Sequence, residues 1–248
     1  MRPALALTGL TAVVLASAPS AAGAGADQPR VALSVSPARF ALAAPGSRTI
    51  KVRNDGAERV VVDTARRTLG RQTATKTWLK IVPTRLLLRS GESAILTLRV
   101  KPPRHAEPGD HPVLVLLTTR ALRGSRVNVQ LRLGVRITMV VPGRIVRRLT
   151  LGGLRVHRRR DARFMFVSVA NRGNVTVQLR GRVTALLLRH GQLLARLSPH
   201  AQRALIPGDR AVLALRYSGR LGGLLTAVVR IRLGPGVRAV ERRYRIHL

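Results

Sequence analysis

From Arg30 onward the apolar residues of this chain recur at every second position, the period of a β-strand and not of a helix. The clearest run is Val127 to Ile137: Val127, Val129, Leu131, Leu133, Val135 and Ile137 share one face, while Asn128, Gln130, Arg132, Gly134 and Arg136 take the other. A strand with one buried and one wet face reads this way. Ile50, Val52 and Asn54 alternate with Lys51 and Arg53, and Leu96, Leu98 and Val100 alternate with Ile95, Thr97 and Arg99. Between the runs stand turn formers: Ala44-Pro45-Gly46-Ser47, Asn54-Asp55-Gly56, Ser90-Gly91-Glu92, Pro108-Gly109-Asp110, Pro207-Gly208-Asp209 and Gly234-Pro235-Gly236. Many short strands spaced by such turns predict sandwiches or barrels. No stretch reads as an amphipathic helix, and Thr184 to Leu197 is the one ambiguous segment.

The pattern occurs twice. Asn54-Asp55-Gly56, closing the strand Thr49 to Arg53, corresponds to Asn171-Arg172-Gly173, closing Phe164 to Ala170. Ser90-Gly91-Glu92-Ser93-Ala94-Ile95-Leu96-Thr97-Leu98-Arg99 corresponds to Pro207-Gly208-Asp209-Arg210-Ala211-Val212-Leu213-Ala214-Leu215-Arg216. Both landmarks keep one offset, the 117 positions from Asn54 to Asn171. The repeat predicts two copies of one β-sandwich unit, residues 27–143 and 144–248, with Pro142-Gly143 as a short, semi-rigid joint.

The preceding segment reads as an export signal, residues 1–26. Arg2 supplies the positive end, Ala4 to Ala16 the apolar stretch, and Ala16-Ser17-Ala18, Ala22-Gly23-Ala24 and Ala24-Gly25-Ala26 are cleavage options. The apolar run is about 13 residues, short of the roughly 20 that a spanning helix needs. There is no lipobox cysteine, no transmembrane run in the mature chain and no C-terminal sorting motif, so the expectation is a secreted or envelope-associated protein. Cysteine is absent, so the fold must hold by packing alone.

The formal net charge is +35, carried by 45 basic residues of which four are lysine. Such a surface is drawn to polyanions, although the excess of arginine over lysine also fits a GC-rich coding bias. The densest run, His157-Arg158-Arg159-Arg160, is expected in a turn between the first two strands of the second unit, and Arg158, Arg159 and Arg160 are candidate polyanion contacts.

Catalytic chemistry finds no support in the residues. The ten carboxylates form no acid–base pair, and several (Asp55, Glu92, Asp110, Asp209) sit in turns, where they are expected to cap backbone amides. Histidines 105, 111, 157, 190, 200 and 247 lack ligand spacing, and no metal site, cofactor motif or nucleophile elbow is present. The six aromatics (Phe40, Trp78, Phe164, Phe166, Tyr217, Tyr244) are read as mostly lying on apolar strand faces, with Trp78 a core plug, so no stacking platform for nucleic acid is expected.

Val35-Ser36-Pro37, Arg39-Phe40, Pro45-Gly46 and Ile50-Lys51-Val52-Arg53-Asn54-Asp55-Gly56, continued by Trp78 to Pro83, Leu86 to Glu92 and Val100-Lys101-Pro102-Pro103, resemble the opening domain of bacterial exported immunoglobulin-like proteins. The segment is similar to the first domain of periplasmic pilus chaperones and to the Gram-positive WxL-interacting surface proteins, which pair a peptidoglycan-binding Ig-like domain with a second, host-binding one. The resemblance implies an all-β chain of two tandem immunoglobulin-like β-sandwich domains after a signal peptide. WxL-interacting proteins end in a transmembrane helix that this chain lacks. Pilus chaperones hold a pilin C-terminus with an Arg and a Lys. Arg39 and Arg132 stand on suitable strands, but the Lys has no clear counterpart.

Two functions are therefore expected, neither enzymatic. The first is a cell-envelope interaction protein that binds wall polymer or another exported surface protein through its basic Ig-like domains. The alternative is a chaperone for pilus or surface-fibre subunits. In that case Val127, Val129, Leu131, Leu133, Val135 and Ile137 would lie on an exposed edge strand and accept a subunit by strand addition.

Overall fold

The protein is described by a computed structural model over residues 30–70, 73–120, 130–199 and 204–248. The expected export signal, residues 1–26, lies outside the described residues. The strands predicted by alternation form, in order, β1 (Leu33–Ser36), β2 (Arg39–Ala43), β3 (Gly46–Asn54), β4 (Val60–Thr68), a 3-10 turn (Thr73–Trp78), β5 (Leu79–Val82), β6 (Arg85–Leu88), β7 (Ser93–Val100), β8 (Gly109–Arg120) and β9 (Arg132–Val141). They pair into two sheets, β1-β3-β7-β5 and β2-β9-β8-β4-β6. Chain direction changes sheets at two prolines: Pro37 separates β1 from β2, and Pro83 separates β5 from β6. Proline offers no amide to a ladder, so a strand readily leaves its sheet there. Between the sheets lie Ile50, Leu79, Leu88, Leu96, Leu98, Leu117, Ile137 and Met139, all buried.

The remaining strands are β10 (Leu149–Arg158), β11 (Arg163–Asn171), β12 (Val177–Gln178), β13 (Val183–Arg189), β14 (Gln192–Leu197), β15 (Ala204–Leu205), β16 (Arg210–Tyr217), β17 (Leu224–Ile231) and β18 (Val240–His247). They pair as β10-β11-β16, β14-β13-β17-β18 and the short β12-β15. A second core of Met165, Leu179, Leu187, Leu205 and their neighbours fills the space between the sheets. The ambiguous Thr184–Leu197 segment is the β13–β14 hairpin. Its two-residue loop places both His190 (φ 49) and Gly191 (φ 83) in the left-handed region, as the tight hairpin turn requires.

The internal repeat extends to the hydrogen bonds. Asn54 is fully buried at the end of β3, and its Nδ2 donates to the Glu58, Leu88 and Arg89 carbonyls at 2.7, 3.3 and 3.1 Å. Its Oδ1 accepts from the Gly56 amide at 3.0 Å. Asn171, equally buried at the end of β11, donates to the Val175 and Leu205 carbonyls at 2.8 and 2.9 Å and accepts from Gly173 N at 3.0 Å. Each partner in the second network stands at the same offset from one in the first. The carboxamide ties the strand end to the following turn and to the chain entering β7 or β16, and both its own donor and acceptor find backbone partners.

Asn174, in the loop after β11, joins the two strand sets. Its Nδ2 donates to the Pro108 and Arg144 carbonyls, both at 2.8 Å, and its carbonyl accepts from Asp110 N at 2.8 Å. The Asp110 carboxylate, expected as a local turn cap, instead accepts from the Thr176 amide of the other strand set at 2.7 Å. Gly109 (φ 119) has no room for a side chain here, since a Cβ would run into the Asn174 carbonyl.

Candidate functional site: the open segment of β9

Leu131, Leu133, Val135 and Ile137 do share the core-facing side, and the burial changes along them. Val135 and Ile137 are fully buried, whereas Leu131 and Leu133 are only half-buried. Val127 and Val129 lie outside the described residues. The half-buried pair marks the end of the described part of the core.

The expectation of a long exposed edge strand is corrected by the pairing. β9 runs antiparallel to β8 along its whole length, from Arg132 opposite Thr118 to Val141 opposite Gly109. Its other side is covered by β2, parallel, but only over Arg136–Val140 opposite Arg39–Ala43. β2 is short because it begins after the sheet change at Pro37. Among the described residues, no strand covers the far side of Arg132–Val135. Leu131 continues the pairing with β8, its amide bonded to Thr119 Oγ1 and its carbonyl to Thr119 N, each at 2.9 Å. The Arg136 amide points to the β2 side, donating to the Ala38 carbonyl at 3.0 Å. Peptide groups two residues apart point the same way along a strand, so Arg132 and Gly134 turn theirs toward the open edge. Among the described residues the opening of β9 is four residues long, Arg132–Val135, with half-buried leucines beside it, because β2 covers Arg136 and Ile137.

The outer face of the same sheet is basic. Arg39 stands opposite Arg136, and Arg136 stands opposite Leu114, which stands opposite Arg67. These three exposed arginines form one row across β2, β9, β8 and β4. Arg132 lies one end of the strand away, opposite Thr118 and thus one strand from Asp63. Asp63 is engaged by Arg85 Nε at 2.9 Å and by Arg120 Nε. The Arg85 hydrogen bond, seconded by Arg120, holds its carboxyl below the usual aspartate range against the opposing effect of burial. A lowered pKa contributes stability above the unfolded aspartate value of about 3.9 and loses it as pH falls through the folded value. Asp63→Asn should therefore lower stability by about 1 kcal/mol at neutral pH, a figure limited by solvent screening. Thermal melts across the acidic range should show that deficit vanishing below the folded value; a deficit constant with pH would refute the assignment.

Elsewhere the predicted residues are scattered. Arg158, Arg159 and Arg160 end β10 and turn into β11, closed by Arg159 N donating to the Ala162 carbonyl at 2.9 Å. Arg158 Nη2 lies 2.8 Å from His247 Nδ1. Trp78 packs on the first core, its ring 4.8 Å from that of His111. Phe164 and Phe166 depart from expectation: they face outward from β11, while Met165, Val167 and Val169 fill the core. Among the described residues no helix is long and apolar enough to cross a membrane.

No protein family matches the sequence, and no curated protein is similar to it. Solved structures are similar in fold. The class 5 fimbriae chaperone CfaA aligns with TM-score 0.53 at 12% identity, over 86% of this chain and 98% of that one. A chaperone–tip adhesin complex of CFA/I fimbriae biogenesis aligns with TM-score 0.52 at 12% identity and the same coverage. The YadV chaperone aligns with TM-score 0.50 at 12% identity, over 86% of this chain and 99% of that one. The fold is thus the all-β, Ig-like fold of fimbrial chaperones.

That likeness overturns the leading expectation of a wall-polymer-binding protein, and the resemblance to WxL-interacting proteins gains no support from it. High charge misled because arginine is spread over both strand sets, whereas the arrangement of strands is specific.

Proposed function

We propose that this chain is an exported, non-enzymatic chaperone for subunits of surface fibres. It would accept an incomplete β-sandwich by strand addition along Arg132–Val135 of β9. One observation carries the reading: among the described residues, the open segment of β9 lies beside the half-buried Leu131 and Leu133, which an added strand would cover. Added backbone pairing gives affinity, and alternating side-chain pockets give register. The fold shared with fimbrial chaperones over nearly their whole length supports the same reading. Residues 27–143 and 144–248 would then be the two domains, joined at Pro142-Gly143 and braced by Asn174 and Asp110. The row Arg67, Arg136 and Arg39 offers cations to a carboxylate of the subunit, in place of the missing lysine.

Purification of the tagged full chain from the cell envelope and culture fluid tests this. A stoichiometric complex with an exported protein whose sandwich lacks a strand is the expected result. Recovery of the chain alone from cells assembling surface fibres would refute it.

A further inference from the structure

The repeat provides an internal control for the second strand set. Outward positions of β3 carry Ser47, Thr49, Lys51 and Arg53, the polar pattern of a solvated antiparallel face. At the same offset β11 carries Phe164, Phe166, Ser168 and Ala170. The outward residues of β16 opposite them are Arg216, Ala214 and Val212, the last 64% exposed. Two of the three phenylalanines in the chain thus stand on a solvent face while methionine and valine fill the core behind them.

These rings are organised. Phe164 and Phe166 stack with centroids 6.3 Å apart, and the His157 ring meets Phe166 edge-on at 5.3 Å. β10 bulges between Leu151 and Leu154, and Gly153 leaves open space where a side chain would stand. The result is a depression of about 380 Å3 lined by Gly153, Arg155, His157, Phe166, Ser168 and Val212. β10, β11 and β16 contain no aspartate or glutamate, so Arg155 and Arg216 border the apolar floor without a carboxylate on these strands to offset them.

We infer that the outer face of β10-β11-β16 docks an acidic segment of a second protein, anchored by an apolar side chain in the depression beside Phe166. An exposed apolar patch ringed by charge marks an interaction surface, and the sign of that ring selects the partner. A second copy of this chain, itself at +35, would set arginine against arginine. A concave depression fits a discrete anchor better than a flat bilayer. The face belongs to the second strand set, apart from the opening on β9, so it stands or falls independently of the chaperone reading.

The probe is a short fluorescein-labelled peptide alternating aspartate with phenylalanine and leucine, titrated by anisotropy against the full chain. Phe164→Ser with Phe166→Thr installs the residues found at Ser47 and Thr49, leaves the charge unchanged, and should weaken binding about tenfold. Val212→Asp, on a side chain too exposed to support the core, should do the same and decides the matter if the double variant melts early. Affinity unchanged in Val212→Asp, or equal binding of the peptide with lysine for aspartate, would overturn the proposal. So would variants that keep the peptide but lose phosphatidylglycerol vesicles, since the face would then be a lipid contact.

Discussion

Aspartate in place of both Leu131 and Leu133 should abolish the proposed complex with a fibre subunit while leaving the second strand set folded. The expected loss of affinity is at least about a hundredfold, the scale of several kcal/mol that central interface anchors carry. The two side chains are half-buried next to an open ladder segment, so an added strand would finish covering them. Buried carboxylates there would lack partners, and desolvation alone would oppose docking. The effect is separable from unfolding because the burial is graded: Val135 and Ile137, fully enclosed, would damage the core itself if replaced. Arg132→Ala, changing the outer face of the same strand, should weaken binding much less. A Leu131→Asp/Leu133→Asp chain that melts normally and still co-purifies with its subunit would eliminate strand addition at this edge.

The sandwich was legible because period-2 alternation is local: each strand records which of its faces is wet. The repeat was legible because Asn54 and Asn171 solve one hydrogen-bonding problem in two places. What alternation does not record is pairing across the chain. Shielding of Arg136–Val140 by β2 depends on a sheet change at Pro37, almost a hundred residues earlier, so β9 looked open along its length. Asp110 likewise resembled a turn cap, and its partner Thr176 lies 66 residues on. The Phe164–Phe166 face was obscured for another reason: Phe164 to Val167 is apolar on both phases, so alternation alone gives no inside. A signal existed nonetheless. Asn171 is the counterpart of buried Asn54, and Val169, Val167 and Met165 share its parity, which turns both phenylalanines outward. Charge was the least informative feature, since arginine is spread over both strand sets and singles out no edge.

Asn171→Ala and Asn54→Ala should each cost about 3–5 kcal/mol, among the largest losses any single surface-free position of this fold can produce. The carboxamide in each case is fully buried and occupied at both ends. Alanine would remove the carboxamide donor from the buried Val175 and Leu205 carbonyls, or from those of Glu58 and Leu88, while the Arg89 carbonyl keeps the Glu92 amide. An unsatisfied buried polar group costs about 1–3 kcal/mol, so two lost donors at each site decide the outcome. Aspartate should be worse than alanine at either site, since a carboxylate only accepts and would face carbonyl oxygens. Because each network lies wholly inside one strand set, denaturant unfolding of the two variants also tests whether residues 27–143 and 144–248 behave as separate domains. Asn171→Ala should then shift one transition and Asn54→Ala the other, with losses that add in the double variant. Losses below about 1 kcal/mol would mean that water replaces the carboxamide, and the repeat would mark ancestry alone and not a shared structural brace.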